Sequence, residues 1–130
     1  MEPTAYFDAI EDRLLLDPLI ASVDFVDRWQ TDVNGYFRAR LTFAGGQRME
    51  FSEYIQRSSG GIEIITYAYQ WMTSDNSLIC RWDNTPHFPR FPGFPCHRHE
   101  GSEGNVFPDE ARTIATVLEE IARRTPDKDT

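Results

Sequence analysis

All three histidines of the chain, His87, His97 and His99, fall within thirteen residues, with Asp83, Asn84, Cys96 and Arg98 beside or among them. Imidazole accepts protons, donates them or binds metals near neutral pH, so this is where chemistry is to be sought. Three arrangements suit the set. In the first, two histidines cleave a phosphodiester: one takes the proton of a ribose 2′-hydroxyl and the other protonates the leaving oxygen. Arg98 or Arg81 then stabilises the charge building on phosphorus, a task that suits a guanidinium fork. In the second, His97 and His99 are metal ligands, and Asp83, His87 or Cys96 completes the shell. In the third, the histidines only hydrogen-bond a loop to a sheet or to Asp83.

The charge distribution favours this region for an anionic ligand. The 130 residues carry a net charge of −8, which argues against nucleic-acid binding over the whole surface. Residues 81–99 nevertheless sum to +2 and form the one basic stretch, and twelve of the thirteen cations are arginines. Elsewhere, Arg38, Arg40 and Arg48 could form a phosphate patch, or ion pairs with Glu50 and Glu53. Tyr67, Tyr69, Trp71 and Trp82 could stack on bases, although period-two aromatics more often fill a core. The sequence contains no Gly-rich phosphate loop, Gly-x-Ser-x-Gly elbow, Cys-x-x-Cys pair or dinucleotide fingerprint.

Positioning these groups is the task of an α+β fold. Thr4 is placed to cap a first helix carrying Tyr6, Phe7, Ile10 and Leu14, and Asp17-Pro18 ends it. Strand patterns follow from about Val23, and Asn34-Gly35 reads as a hairpin turn. Phe37, Ala39, Leu41 and Phe43 alternate with Tyr36, Arg38, Arg40 and Thr42; Met49 and Phe51 continue the pattern. Residues 62–72 and 78–83 supply a fourth and a fifth strand, with turns between them, predicting a five-stranded antiparallel meander.

A long Pro/His-rich loop follows to about Phe107. Its prolines at 86, 89, 92 and 95 alternate with phenylalanines at 88, 91 and 94, a three-residue period that fits a polyproline II strap. Pro108 is expected in the first turn of a second helix, with Ala111, Ile114, Ala115, Val117, Leu118, Ile121 and Ala122 on its apolar stripe. The reading is a single α+β domain over 1–124, with an N-terminal and a C-terminal helix on the sheet, and a short polar tail over 125–130. Two cysteines and an acidic N-terminus fit a cytoplasmic protein, and no apolar run is long enough for a membrane span.

Arg81-Trp82-Asp83-Asn84-Thr85-Pro86-His87, followed by Phe94-Pro95-Cys96-His97-Arg98-His99, resembles the hallmark of the TumE-like family of toxin–antitoxin system toxins. Residues 16–23, Gly35 to Phe43, Phe51–Tyr54 and Tyr67–Trp71 are similar as well. The chain differs at Phe88 and Cys96, where a second histidine of each pair is usual, and at Gly93, where threonine is usual. The resemblance implies a growth-inhibiting toxin of a prokaryotic module, neutralised by a cognate antitoxin protein, with ribonuclease activity the natural expectation. Asp83, His87, His97 and His99 are the expected catalytic residues; Arg98, Arg81 and Asn84 are expected to bind phosphate or RNA. No metal or cofactor is needed in this scheme, no membrane partner is expected, and a homodimer is compatible with it. The alternatives are a protein-binding regulatory module without enzymatic activity and a metal-dependent nuclease.

Overall fold

The computed structural model describes residues 1–125; of the expected tail, all but Thr125 lies outside the described residues. The chain runs α1 (Pro3–Leu16), β1 (Ile20–Gln30), β2 (Asn34–Phe43), β3 (Arg48–Ser58), β4 (Gly61–Met72), β5 (Leu78–Asp83), β6 (His97–Glu100), β7 (Val106–Pro108) and α2 (Ile114–Arg124). The strands form one antiparallel sheet in chain order, β1 to β7. No described helix is long and apolar enough to cross a membrane.

The α+β meander with two helices is as expected, but the sheet has seven strands rather than five. The two extra strands come from the stretch expected to be irregular. His97-Arg98-His99-Glu100 pairs with β5, and Val106–Pro108 pairs with it in turn. These strands are only four and three residues long, too short for alternation to declare them. The same pairing corrects the second helix. Pro108 ends β7 opposite His97, and the helix starts at Ile114 instead. Thr113 caps it in a reciprocal box with Thr116, and Arg112 pairs with Asp109 ahead of the helix. At the N-terminus, Pro3 rather than Thr4 opens α1.

Asn34-Gly35 is not the turn; both residues are paired in β2, and the chain reverses over residues 31–33. Gly35 is needed for close approach, since a Cβ there would come within 2.6 Å of the Phe7 ring.

Both helices cover one face of the sheet. Phe7, Ile10 and Leu14 of α1 and Ile114, Val117, Leu118 and Ile121 of α2 share a core with Phe37, Phe51, Tyr69, Trp71 and Trp82. Inside this core sits Glu53, a carboxylate with 0% exposure. It accepts hydrogen bonds from the Tyr6 hydroxyl of α1 (2.6 Å), the Tyr69 hydroxyl of β4 (2.6 Å) and the Ile114 N–H that opens α2 (3.3 Å). The expectation of a solvated ion pair for Glu53 therefore fails. Glu53 continues the Met49–Phe51 alternation onto the core face, whereas Glu50 on the opposite face does pair with Arg38 and Arg40.

Burial raises the Glu53 pKa above its usual 4.5, against the opposing effect of its three donors. Glu53→Ala leaves those donors buried without a partner, and an unfolding measurement should show a loss of about 3 kcal/mol or more. A raised carboxyl pKa favours folding at low pH and is penalised as pH rises through the folded value. The stability of the wild type relative to Glu53→Gln should therefore fall from about pH 4.5 upward. A rising difference in thermal unfolding across that range would contradict the assignment.

Candidate functional site

The site is built from the face of the sheet that the helices leave uncovered. Along β5, Cys80 and Trp82 enter the core, so Arg81 and Asp83 must project from the other side. In the β5–β6 register Arg81 lies opposite His99 and Asp83 opposite His97, which places all four side chains on that face. Arg98 alternates with them, pairs with Trp82 across the strands, and points to the helix side.

Asp83 is the hub. It is 3% exposed, and its Oδ1 accepts the Thr85 N–H at 3.0 Å while its Oδ2 accepts the Arg81 Nε–H at 3.0 Å. His97 Nε2 lies 2.9 Å from Asp83 Oδ1, and His99 Nε2 lies 3.7 Å from Oδ2. The two rings meet edge to face with centroids 5.1 Å apart. His97 is 2% exposed and His99 9%, so His99 is the more accessible of the two.

The other ring nitrogens are held by the backbone. His97 Nδ1 is 3.1 Å from the Pro95 carbonyl, and His99 Nδ1 is 2.7 Å from the Glu103 carbonyl. A carbonyl can only accept, so each Nδ1 carries a hydrogen and donates it. Both Nε2 atoms are thereby directed at the Asp83 carboxylate.

The Pro/Phe loop closes over this cluster. It is not a polyproline II strap, which has no internal hydrogen bonds. Instead the Phe91, Phe94 and Cys96 amides each donate to the carbonyl three residues back, folding the loop into successive tight turns. Phe88 stacks on Phe91 and presents its ring to His97 (4.9 Å) and to His99 (6.5 Å). Phe88, where the family pattern carries histidine, is thus the residue against the cluster; Cys96 packs against the core on the other side. Gly93 has φ +81° and a Cβ there would come 2.4 Å from the Asp109 carbonyl oxygen, so this tight turn needs glycine.

Of the expected site residues, Asp83, His97, His99 and Arg81 come together. His87 is exposed on the loop and lies outside the group of ligand atoms formed by Asp83, His97 and His99. Arg98 bonds Glu100 and the Pro108 carbonyl, lies 3.7 Å from Asp109, and covers the Phe107 ring. Asn84 donates to the Ile65 carbonyl and accepts from the Tyr67 amide, extending the β4–β5 pairing with its side chain. The aromatic run Tyr67, Tyr69, Trp71 and Trp82 is buried core.

Sequence reasoning did not identify the carbonyls of Pro95 and Glu103, since any residue can supply a carbonyl. The role of Phe88 as a cover carried one available signal, its place in a histidine position of the resembled pattern. Beside the cluster, a groove of about 370 Å³ is lined by Arg38, Glu50, Ser52, Ala68, Gln70 and Arg81. Arg81 belongs to both, donating to Gln70 at 3.2 Å as well as to Asp83.

The family described as Toxin TumE matches residues 9–125, and the chain belongs to that family. Searches of curated proteins and of solved structures returned no significant match.

The cover should control access to the buried ring. In diethylpyrocarbonate labelling, His87 is expected to react first, His99 more slowly and His97 last. Phe88→Ala should bring His97 toward the rate of His99. It should cost about 1–2 kcal/mol of stability, below the 3–5 of a fully buried phenylalanine, because Phe88 is only half-buried.

Proposed function

We propose that this member of the TumE toxin family inhibits growth by cleaving RNA at the Asp83–His97–His99 cluster. Family membership makes it a toxin of a toxin–antitoxin module with an antitoxin as partner. The ribonuclease reading rests on one observation above all. Three titratable side chains converge, each offering a ligand atom within 4.8 Å of the others, beside an arginine that also lines an open groove.

The arrangement suits transfer at a phosphodiester. A ribose 2′-hydroxyl must lose its proton as O2′ attacks phosphorus; the O2′–P bond forms, the P–O5′ bond breaks, and the departing oxygen takes up a proton. In the metal-free scheme His99 Nε2 accepts the first proton, since its Nδ1–H is already committed to Glu103 and it is the more exposed histidine. His97 is pinned at both nitrogens and positions Asp83 rather than meeting RNA, so the leaving oxygen is protonated from solvent. Arg81 is the phosphate ligand of this scheme. With Nε–H held by Asp83 and Nη1 by Gln70, which also lines the groove, the guanidinium is fixed at the groove's edge, where it can neutralise charge on phosphorus. His87, Arg98 and Asn84, engaged elsewhere or exposed, have no direct part.

The test is expression of the wild type, Asp83→Asn, His99→Ala and Arg81→Ala in a host, paired with cleavage of total RNA by the purified proteins. His99→Ala and Asp83→Asn should each lower cleavage by about 100-fold or more and restore colony formation. Folded variants as toxic and as active as the wild type would sink the assignment.

A further inference from the structure

We infer that Asp83, His97 and His99 form a binding site for a divalent transition-metal ion, with zinc as its reference occupant. The inference concerns the same cluster as the ribonuclease reading but depends on its geometry, not on that reaction.

The argument is one of donors and acceptors. Each histidine gives its Nδ1–H to a carbonyl, so in the neutral ring each Nε2 is a lone pair. Both lone pairs face Asp83, itself an acceptor when ionised. At 2.9 Å the His97 Nε2–Asp83 Oδ1 contact sets acceptor against acceptor unless a cation joins them. One proton resolves the His97 contact and leaves the His99 lone pair still aimed at the carboxylate, 3.7 Å away. A single metal ion satisfies all three groups at once.

The dimensions agree. With metal–ligand bonds of about 2.0–2.2 Å, atoms in one shell sit roughly 3.0–3.5 Å apart. His97 Nε2 lies 2.9 Å from Asp83 Oδ1 and His99 Nε2 lies 3.7 Å from Oδ2, so the two imidazoles approach the two oxygens of one carboxylate at spacings close to that span, and one ligand atom from each residue lies within 4.8 Å of the others. The surroundings are those of a metal site as well. Histidine ligands characteristically donate their second N–H to a carbonyl, as both do here, and the carboxylate is fixed by Arg81 and Thr85. Two imidazoles and one carboxylate on a rigid strand pair favour zinc, iron or manganese over a hard, fully oxygen-ligated ion such as calcium. Such a set leaves coordination positions for water. Asp83, His97 and His99 would hold the ion through the carboxylate and the two Nε2 atoms, and the chemistry it would supply there is that of a Lewis acid.

The experiment uses the full chain, stripped with chelator, dialysed, and titrated with zinc chloride by calorimetry; bound metal is then counted by mass spectrometry. One zinc per chain is expected. His99→Gln and Asp83→Asn should weaken binding by about 100-fold or more, and His87→Gln should change it by less than about twofold. Circular dichroism checks folding of the variants. Because Asp83 also satisfies Arg81 and Thr85, a measurement without mutation stands beside them. Cobalt(II) added to the wild type should give the visible absorption of a nitrogen- and oxygen-ligated site, and zinc should displace it.

No uptake by the wild type would overturn the inference. So would uptake unchanged in the folded cluster variants, or lost equally in His87→Gln. Zinc uptake without RNA cleavage would support this site while removing the ribonuclease reading. Cleavage by a wild type that takes up no zinc would do the reverse.

Discussion

The alternation of side chains along β5 and β6, locked by their pairing, governs how core and cluster coexist. Trp82 enters the core because Trp71 and the helices bury it; its neighbours Arg81 and Asp83 must then leave by the other face. Opposite them, His97 and His99 are carried to the same face, and Arg98 and Glu100 to the helix side, where Arg124 of α2 holds Glu100. A one-residue slip of β6 would put the histidines against Trp82 and strand two charges over Asp83. The hydrophobic packing of one face thereby specifies the polar cluster of the other.

Two buried carboxylates show how differently an acid can be accommodated. Glu53 faces three neutral donors, from α1, β4 and the start of α2, and ties both helices to the sheet. Its environment is complete. Asp83 has two fixed donors, Arg81 and Thr85, and two histidine nitrogens whose lone pairs compete for whatever cation lies among them. The first arrangement is a joint between elements. The second gathers an arginine, a backbone amide and two imidazoles around one carboxylate.

Much of this was legible in the sequence because it follows from period two. Phe37 through Phe43, Met49 and Phe51, and Tyr67 through Trp71 were recognisable as core by alternation alone, and residues 78–83 as a strand. The clustering of histidines likewise marked the stretch from which His97 and His99 come together with Asp83. What was hidden depends on partners distant in sequence. Four residues, His97–Glu100, become a strand only because Asp83 through Cys80 offer an edge. The direction of Arg98 follows from its pairing with Trp82, and His87, though near the others along the chain, lies outside the group that Asp83, His97 and His99 form. Glu53 read as a surface acid because charged residues are rarely buried, even though its position in the alternation pointed inward.

The sheet ends in two unlike edges. β7 is three residues long, whereas β1 runs for eleven and carries half-exposed Phe25, Val26 and Trp29 along an open row of backbone groups. Such an edge is a template on which further strands could stack into aggregates. β1 breaks that template twice, with register shifts between Ile20 and Ser22 and between Phe25 and Asp27, and sets Asp24 and Asp27 along it. At roughly 4.8 Å per strand, this edge lies about 24 Å across the sheet from β6. A strand added at β1 would therefore meet backbone and carboxylates at the opposite end of the sheet from the histidines.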